Sequence, residues 1–288
     1  MSSVTVVDEW ITTSDGHQIF TKTWKLSTKP VAEVLLIHGF GEHCSRYDHV
    51  FRAFAEQGIQ SYSYDQRGWG ETGKKYHTYG NNHGYDKALE DINDAVNRIK
   101  KDDIPLFLIG HSMGGGLSLN YIARKEKYNG VAKLTGVISS APLVTLTTPV
   151  PAFKYYPLKA LSRVLPNFTI QVDLDPAGIS HDQEQVDIYK KDPLIHDYTT
   201  LSTVGGFLDA GKNLLTIGKD ITTPILFSHG DADPINKYES TKRVYEIASS
   251  TDKELKTWKG LYHELHNETK EDRDQVINTY LDWIKARI

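Results

Sequence analysis

The stretch that most limits what this chain can fold into is residues 106–116, LFLIGHSMGGG. Four apolar residues run into Gly110-His111-Ser112-Met113-Gly114, and apolar residues at Leu117, Leu119, Tyr121 and Ile122 follow in a helix-like pattern. A buried strand turning at once into a helix, with a serine at the corner, is what Gly-x-Ser-x-Gly encodes. Such a turn strains the serine backbone and brings neighbouring chain too close for a Cβ, which is the physical reason for the glycines. The hydroxyl then stands at a helix N-terminus, where free N–H groups and the dipole favour negative charge. The same residues also fit a purely structural glycine turn, so chemistry depends on finding partners for the serine.

Around this stretch the chain alternates between strand and helix patterns. Residues 4–13 and 17–26 are β-rich and flank Ser14-Asp15-Gly16, a good hairpin turn. Val34, Leu35, Leu36 and Ile37 form a continuous apolar run, as a strand buried on both faces requires, and lead into His38-Gly39-Phe40-Gly41. Residues 46–57 place Val50, Phe51, Phe54 and Ala55 on one helical face, and residues 59–65 read as a strand. GWGETG at 68–73 has the form of a dinucleotide fingerprint, but a polar stretch to Gly84 follows instead of an apolar helix, so it reads as a loop. An amphipathic helix over 85–101 (Leu89, Ile92, Val96, Ile99) precedes the serine stretch, and a strand over 134–141 follows its helix. The pattern resumes at 224–227, then continues as a helix over 237–248, a strand over 255–258 and a helix over 273–285. This succession predicts an α/β fold, with a mostly parallel central sheet, helices on both faces and right-handed crossovers. Ligands of such sheets bind beyond the carboxyl ends of the strands, where His38-Gly39 and Ser112 both fall.

Between 142 and 223 the alternation fails and prolines cluster at Pro142, Pro149, Pro151, Pro157 and Pro166. The expected organisation is a core of 1–141 and 224–288 interrupted by a cap, or lid, over 142–223; 288 residues suit one large core with an insertion. Pro157 fits the first turn of a short helix reaching Leu165, with Leu158, Leu161 and Leu165 on one side. That piece reads either as a lid helix touching lipid or as an ordinary helix packed on the sheet domain. A formal net charge of -4 gives no electrostatic reason to expect nucleic acid. Cys44 is the only cysteine, which excludes an internal disulfide and fits a reducing compartment. The first residues show no basic segment followed by an apolar core, and apolar runs reach only four or five residues, so neither a signal peptide nor a membrane span is expected. The expected setting is the cytoplasm, with the sequons at Asn167 and Asn267 unused.

A serine hydroxyl is a poor nucleophile unless a base takes its proton, and the base needs a third group to fix its tautomer. For an elbow serine the acid and then the histidine follow in the chain. Asp231 and Asp233 follow the 224–227 strand, and His263 and His266 follow the 255–258 strand, so each partner has two candidates. HELH at 263–266 is no zinc motif, because HExxH needs its histidines four apart and these are three apart; no metal is expected. Backbone donors for a tetrahedral oxyanion would come from Met113, directly after the serine, and from Phe40 in the loop after the first apolar strand.

Six motifs run in register through nearly the whole chain: HGFGEH at 38–43 with Arg46-Tyr47 after it, YDQRGWG at 64–70, GHSMGGG at 110–116, VDIYKKDPLI at 186–195, HGDADPI at 229–235 and YHELHNE at 262–268. With them the chain resembles the α/β-hydrolases of the monoacylglycerol lipase type, particularly the fungal members. The resemblance implies the α/β-hydrolase fold with an inserted lid, Asp233 as the acid of the triad, His263 as the base, and no cofactor. It implies a polar pocket for a glycerol headgroup at Glu42, Arg46, Tyr189 and His266, with an apolar tunnel beneath the lid for the acyl chain. The expected function is cleavage of monoacylglycerol to glycerol and fatty acid through an acyl-enzyme, with reversible lid contact to membranes or lipid droplets. The alternatives are a broader carboxylesterase, lysophospholipase or acyltransferase on the same triad, and, more remotely, a non-catalytic lipid-binding module.

Overall fold

Strands buried on both faces must be apolar at every position, and the continuous runs do form the centre of the sheet. The structure is a computed structural model that describes residues 3–101 and 103–288; the first two residues of the expected core segment, and Asp102, lie outside the described residues. The chain begins with β1 (Val4–Thr12), β2 (Gln18–Leu26) and β3 (Ala32–Ile37), then α1 (Asp48–Glu56), β4 (Ile59–Tyr64), α2 (Gly70–Tyr76) and α3 (Tyr85–Ile99). β5 (Leu106–His111), α4 (Met113–Ile122) and β6 (Gly136–Ser140) follow. The inserted stretch holds α5 (Ala152–Ser162), β7 (Thr169–Gln171), α6 (Gln183–Lys191), β8 (Tyr198–Thr200) and α7 (Leu201–Ile217). β9 (Ile225–Gly230), α8 (Tyr238–Ile247), β10 (Lys253–Trp258) and α9 (Lys270–Lys285) close the chain.

Among the described residues the main sheet has eight strands in the order β1-β2-β4-β3-β5-β6-β9-β10. β1 and β4 pair antiparallel with β2, and every other neighbouring pair is parallel. Alternate residues of the central strands feed two cores. Leu35, Ile37, Leu106 and Leu108 pack with α3 and α4 residues such as Leu89, Ile92, Val96 and Leu117. Val34, Leu36, Phe107 and Ile109 pack with Phe51 and Phe54 of α1 and with Val276, Tyr280 and Ile284 of α9. Helices thus cover both faces, and the parallel strands all deliver their carboxyl ends to one edge.

Three local readings are corrected. The stretch at 68–73 is not all loop, because α2 starts at Gly70; the Asp65 carboxylate accepts the Glu71 N–H at 2.7 Å, and the fully buried Trp69 anchors the entry. A cap supplied from the end of the preceding strand is invisible to a reading of composition. The lid helix starts at Ala152 rather than Pro157, which sits inside it. A mid-helix proline removes one backbone donor, and here the carbonyl deprived of its partner belongs to Phe153, a residue 76% exposed, where water can replace the bond. The third is the β7–β8 pair, an antiparallel ribbon with strands too short to give any periodicity.

The inserted stretch is not uniform. α5 has no buried residue. α7, by contrast, places Phe207 and Leu214 in the core beside α4, and Asn120 Nδ2 donates to the Ala210 carbonyl at 3.2 Å. α7 thus packs on the core while also lining the cavity beside Ser112 through Val204, Phe207 and Leu208. Of the two sequons, Asn267 is buried, which blocks a glycan whatever the compartment.

Candidate active site

The serine corner forms as its glycines require. Ser112 has φ 54° and ψ −118°, a left-handed conformation that only a fully determined turn sustains. Its N–H donates to the Ser140 carbonyl, and its carbonyl accepts from Leu143, both at 2.9 Å, so the corner is tied to the end of β6. A Cβ on Gly114 would lie 2.1 Å from the Ile37 carbonyl oxygen and 2.5 Å from that of His38. Gly114→Ala is accordingly expected to cost about 3 kcal/mol, since both clashes are with backbone at a strand end that cannot yield. A denaturant midpoint unchanged from wild type would contradict this.

The residues on the three strand ends form one hydrogen-bonded line. Ser112 Oγ lies 2.9 Å from His263 Nε2, and His263 Nδ1 lies 2.7 Å from Asp233 Oδ2. With Nδ1–H donating to the carboxylate, Nε2 is left as an acceptor for the serine hydroxyl. Asp233 is held in turn: its Oδ1 accepts the N–H groups of Ile235 (2.8 Å) and Asn236 (3.0 Å), and its Oδ2 lies 3.0 Å from His229 Nε2. Burial alone would raise the Asp233 carboxyl, but His263 and His229 outweigh it and hold the group well below the usual carboxylate range. Burial likewise pulls His263 down, while the Asp233 carboxylate outweighs burial and leaves it above the ordinary histidine value.

The competing candidates lie elsewhere. Asp231 is exposed and accepts the Gly260 N–H at 2.6 Å. His266 is buried behind the line, stacked on Tyr47 with ring centroids 4.6 Å apart and edge-on to His111 at 4.9 Å. Burial, then the neighbouring His111, keep it far below the usual histidine range, and His111 is itself pushed down to about 3 by burial and by His263. Among the described residues neither ring is hydrogen-bonded to Ser112 Oγ, which lies against His263 Nε2.

The N–H groups of Phe40 and Met113 have no hydrogen-bond acceptor among the described residues, and both residues line the cavity beside Ser112. That cavity, of about 540 Å³, runs from Ser112 past Leu143, Leu146 and Phe207 to Leu158, Ile170 and Val172 of the inserted stretch. Its wall is mostly apolar; Glu42, Tyr189 and Glu264 enter it, and Lys154, Lys159, Gln171 and Asp173 line it on the inserted stretch. Arg46 and His266 are not among the lining residues. Arg46 is engaged behind the wall by Glu42 (2.6 Å) and, through two nitrogens, by Glu264 (2.6 and 2.7 Å), with its guanidinium 4.9 Å from the Tyr189 ring centroid. Sequence reasoning did not single out Glu264, Tyr47, His229 or Asn236. Neither His229, at the end of a strand, nor Glu264, between two histidines, carries a local signal of its partner.

Residues 28–270 match the hydrolase family described as serine aminopeptidase, S33. A mouse monoglyceride lipase is 31% identical over 280 residues, covering 96% of this chain and 89% of its own. The chain belongs to the α/β-hydrolases of the monoglyceride lipase type. It is a serine hydrolase of the esterase and lipase clan. An abhydrolase domain-containing protein of Dictyostelium discoideum is 35% identical over 278 residues, 96% of this hydrolase, which spans only 28% of that relative's length. Among solved structures, a soluble variant of the Saccharomyces cerevisiae monoglyceride lipase, in complex with a substrate analogue, superposes with a TM-score of 0.84 at 26% identity over 99% of this hydrolase and 98% of that chain.

Proposed function

We propose that this hydrolase cleaves monoacylglycerols to glycerol and a fatty acid. The observation that carries the reading is the cavity at Ser112: its mostly apolar wall suits one acyl chain, while Glu42, which shares the Gly39 corner with Ser112, and Tyr189 supply polar groups for the alcohol. Ser112 Oγ attacks the ester carbonyl as His263 Nε2 takes its proton, and Asp233 stabilises the resulting imidazolium. The Phe40 and Met113 N–H groups hold the oxyanion. His263 then protonates the departing glycerol oxygen, and a water that His263 deprotonates releases the fatty acid from Ser112. Glu42 and Tyr189 face the glycerol directly; Arg46 and His266 support that end from behind.

The substrate assignment is tested by turnover of monoacylglycerol, triacylglycerol and lysophospholipid side by side. Monoacylglycerol is expected to give the highest kcat/KM, and a stronger preference for lysophospholipid would replace this reading with the lysophospholipase one. The base is tested by pH. Because His263 must be neutral to accept the serine proton, and its pKa is raised, kcat/KM is expected to climb with pH through an acid limb lying above the ordinary histidine value of 6.5. A profile flat from about pH 5 to 8 would exclude a histidine base.

The lid is proposed to rest reversibly on lipid. Phe153 and Val164 are each 76% exposed, with Tyr156 and Phe168 also bare, on a segment that carries Lys154 and Arg163. Burial of one such side chain contributes about 1.5–3 kcal/mol. Phe153→Glu combined with Val164→Glu is expected to lower co-sedimentation with phosphatidylcholine vesicles more than tenfold, with turnover of a dissolved short-chain ester unchanged. Equal sedimentation of both proteins would refute lid contact.

A further inference from the structure

We propose that Glu42, Arg46 and Glu264 form a buried bracket that sets the oxyanion loop against the histidine loop, making them positioning residues for the transition state rather than only a lining for the alcohol. The proposal rests on the assignment of Ser112 as nucleophile and of the Phe40 N–H as an oxyanion donor.

The geometry runs from one loop to the other without a break. Glu42 Oε1 accepts the Gly39 N–H at 2.6 Å and the Tyr47 hydroxyl at 2.6 Å. Gly39 precedes Phe40, so this carboxylate fixes the peptide unit next to the one whose N–H faces the oxyanion. The loop has no slack there: a Cβ on Gly39 would lie 2.9 Å from Glu42 Oε1 and 3.2 Å from Ser112 Cβ. Glu42 Oε2 takes one Arg46 nitrogen at 2.6 Å, and the same guanidinium grips both oxygens of Glu264 at 2.6 and 2.7 Å. Glu264 directly follows His263 in the chain. It is fixed further by the Asn267 side-chain amide at 2.8 Å and by its own N–H on the Ile179 carbonyl at 2.7 Å.

All three side chains are almost fully buried, with 6% of Arg46, 2% of Glu42 and 4% of Glu264 exposed. Two buried carboxylates sharing one guanidinium are a costly way to bind a neutral glycerol, because most of their hydrogen-bonding capacity is already used within the protein. A bidentate arginine pair is, however, well suited to fixing the distance and angle between two chain segments. Burial would raise the Glu264 carboxyl, and Arg46 outweighs it and holds the group below the usual carboxylate range. One end of this rigid link carries the oxyanion donor and the other carries the base.

Two esters separate positioning from alcohol binding: a monoacylglycerol, and p-nitrophenyl butyrate, whose alcohol has no glycerol hydroxyls. Glu264→Gln is expected to lower kcat/KM about 10- to 100-fold, by the same factor within threefold for both esters, with the loss in kcat and not in KM. Rates are expressed per active site titrated with a fluorophosphonate, so a fraction of misfolded protein does not count. A loss confined to the monoacylglycerol and expressed as raised KM would overturn the bracket in favour of glycerol binding, as would rates unchanged on both esters. If the charged-to-amide variant does not fold, Tyr47→Phe removes one donor from Glu42 without unpairing a buried charge. It is then expected to slow both esters about equally, three- to tenfold, and selective loss on the monoacylglycerol or no loss at all would overturn the proposal. Wild-type turnover of p-nitrophenyl butyrate without monoacylglycerol turnover would remove the substrate assignment and leave the bracket testable on the ester. Full activity of Ser112→Ala on both esters would remove the serine mechanism and the bracket with it.

Discussion

Ser112→Ala is expected to lower kcat by about 10⁶-fold while leaving the fold intact. Ser112 contributes nothing to packing beyond its Cβ, and the hydrogen bonds that hold the corner use its backbone N–H and carbonyl, which alanine keeps. The penalty for φ 54° is also nearly the same for alanine as for serine, so stability should move little. The remaining groups cannot compensate, because the His263 base would have only water to activate and no covalent intermediate could form. The measurement is glycerol release from a monoacylglycerol by both proteins, with circular dichroism to verify folding. Turnover of the variant within tenfold of wild type would mean that another nucleophile does the chemistry.

Asp233→Asn should be nearly as damaging, with a loss of about 10⁴-fold in kcat, and the surrounding hydrogen bonds say why. Oδ1 of Asp233 accepts two backbone N–H groups, from Ile235 and Asn236. An asparagine would have to put its carbonyl oxygen there, turning its NH₂ toward the nitrogens of His263 and His229 that now face Oδ2. His263 Nδ1 would become an acceptor, its proton would move to Nε2, and Nε2 could no longer take the proton of Ser112. Nitrogen-15 spectra of the imidazole should report the exchanged tautomer. Retention of more than a tenth of wild-type kcat would show that Asp233 does not orient the base.

The sheet and the serine corner were legible because each follows from a strong local rule. Val34 to Ile37 and the run before Ser112 are apolar at every position, which only a strand covered on both faces explains, and Gly114 has no room for a side chain. The acid and the base were narrowed to two candidates apiece by their place after apolar strands. Choosing between Asp231 and Asp233 required a family pattern, because exposure differs between them while composition does not. What escaped was governed by tertiary contacts. The start of α2 depends on Asp65, the start of α5 on a solvated carbonyl opposite Pro157, and the packing of α7 on a partner some 90 residues earlier. Glu264 escaped for the same reason: nothing in its neighbours along the chain announces a buried partner 218 positions away at Arg46.

The order in which the strands carry the site has a consequence for the chain as it is made. Ser112 follows β5, yet Asp233 and His263 follow β9 and β10, with the whole inserted stretch between them. On the proposed assignment, a nascent chain that has emerged as far as α7 holds the nucleophile but neither its proton acceptor nor the group that orients it. It is then unable to cleave an ester, and so is any fragment cut before β10. On that assignment, competence to cleave waits for β9 to dock beside β6 and β10 beside β9.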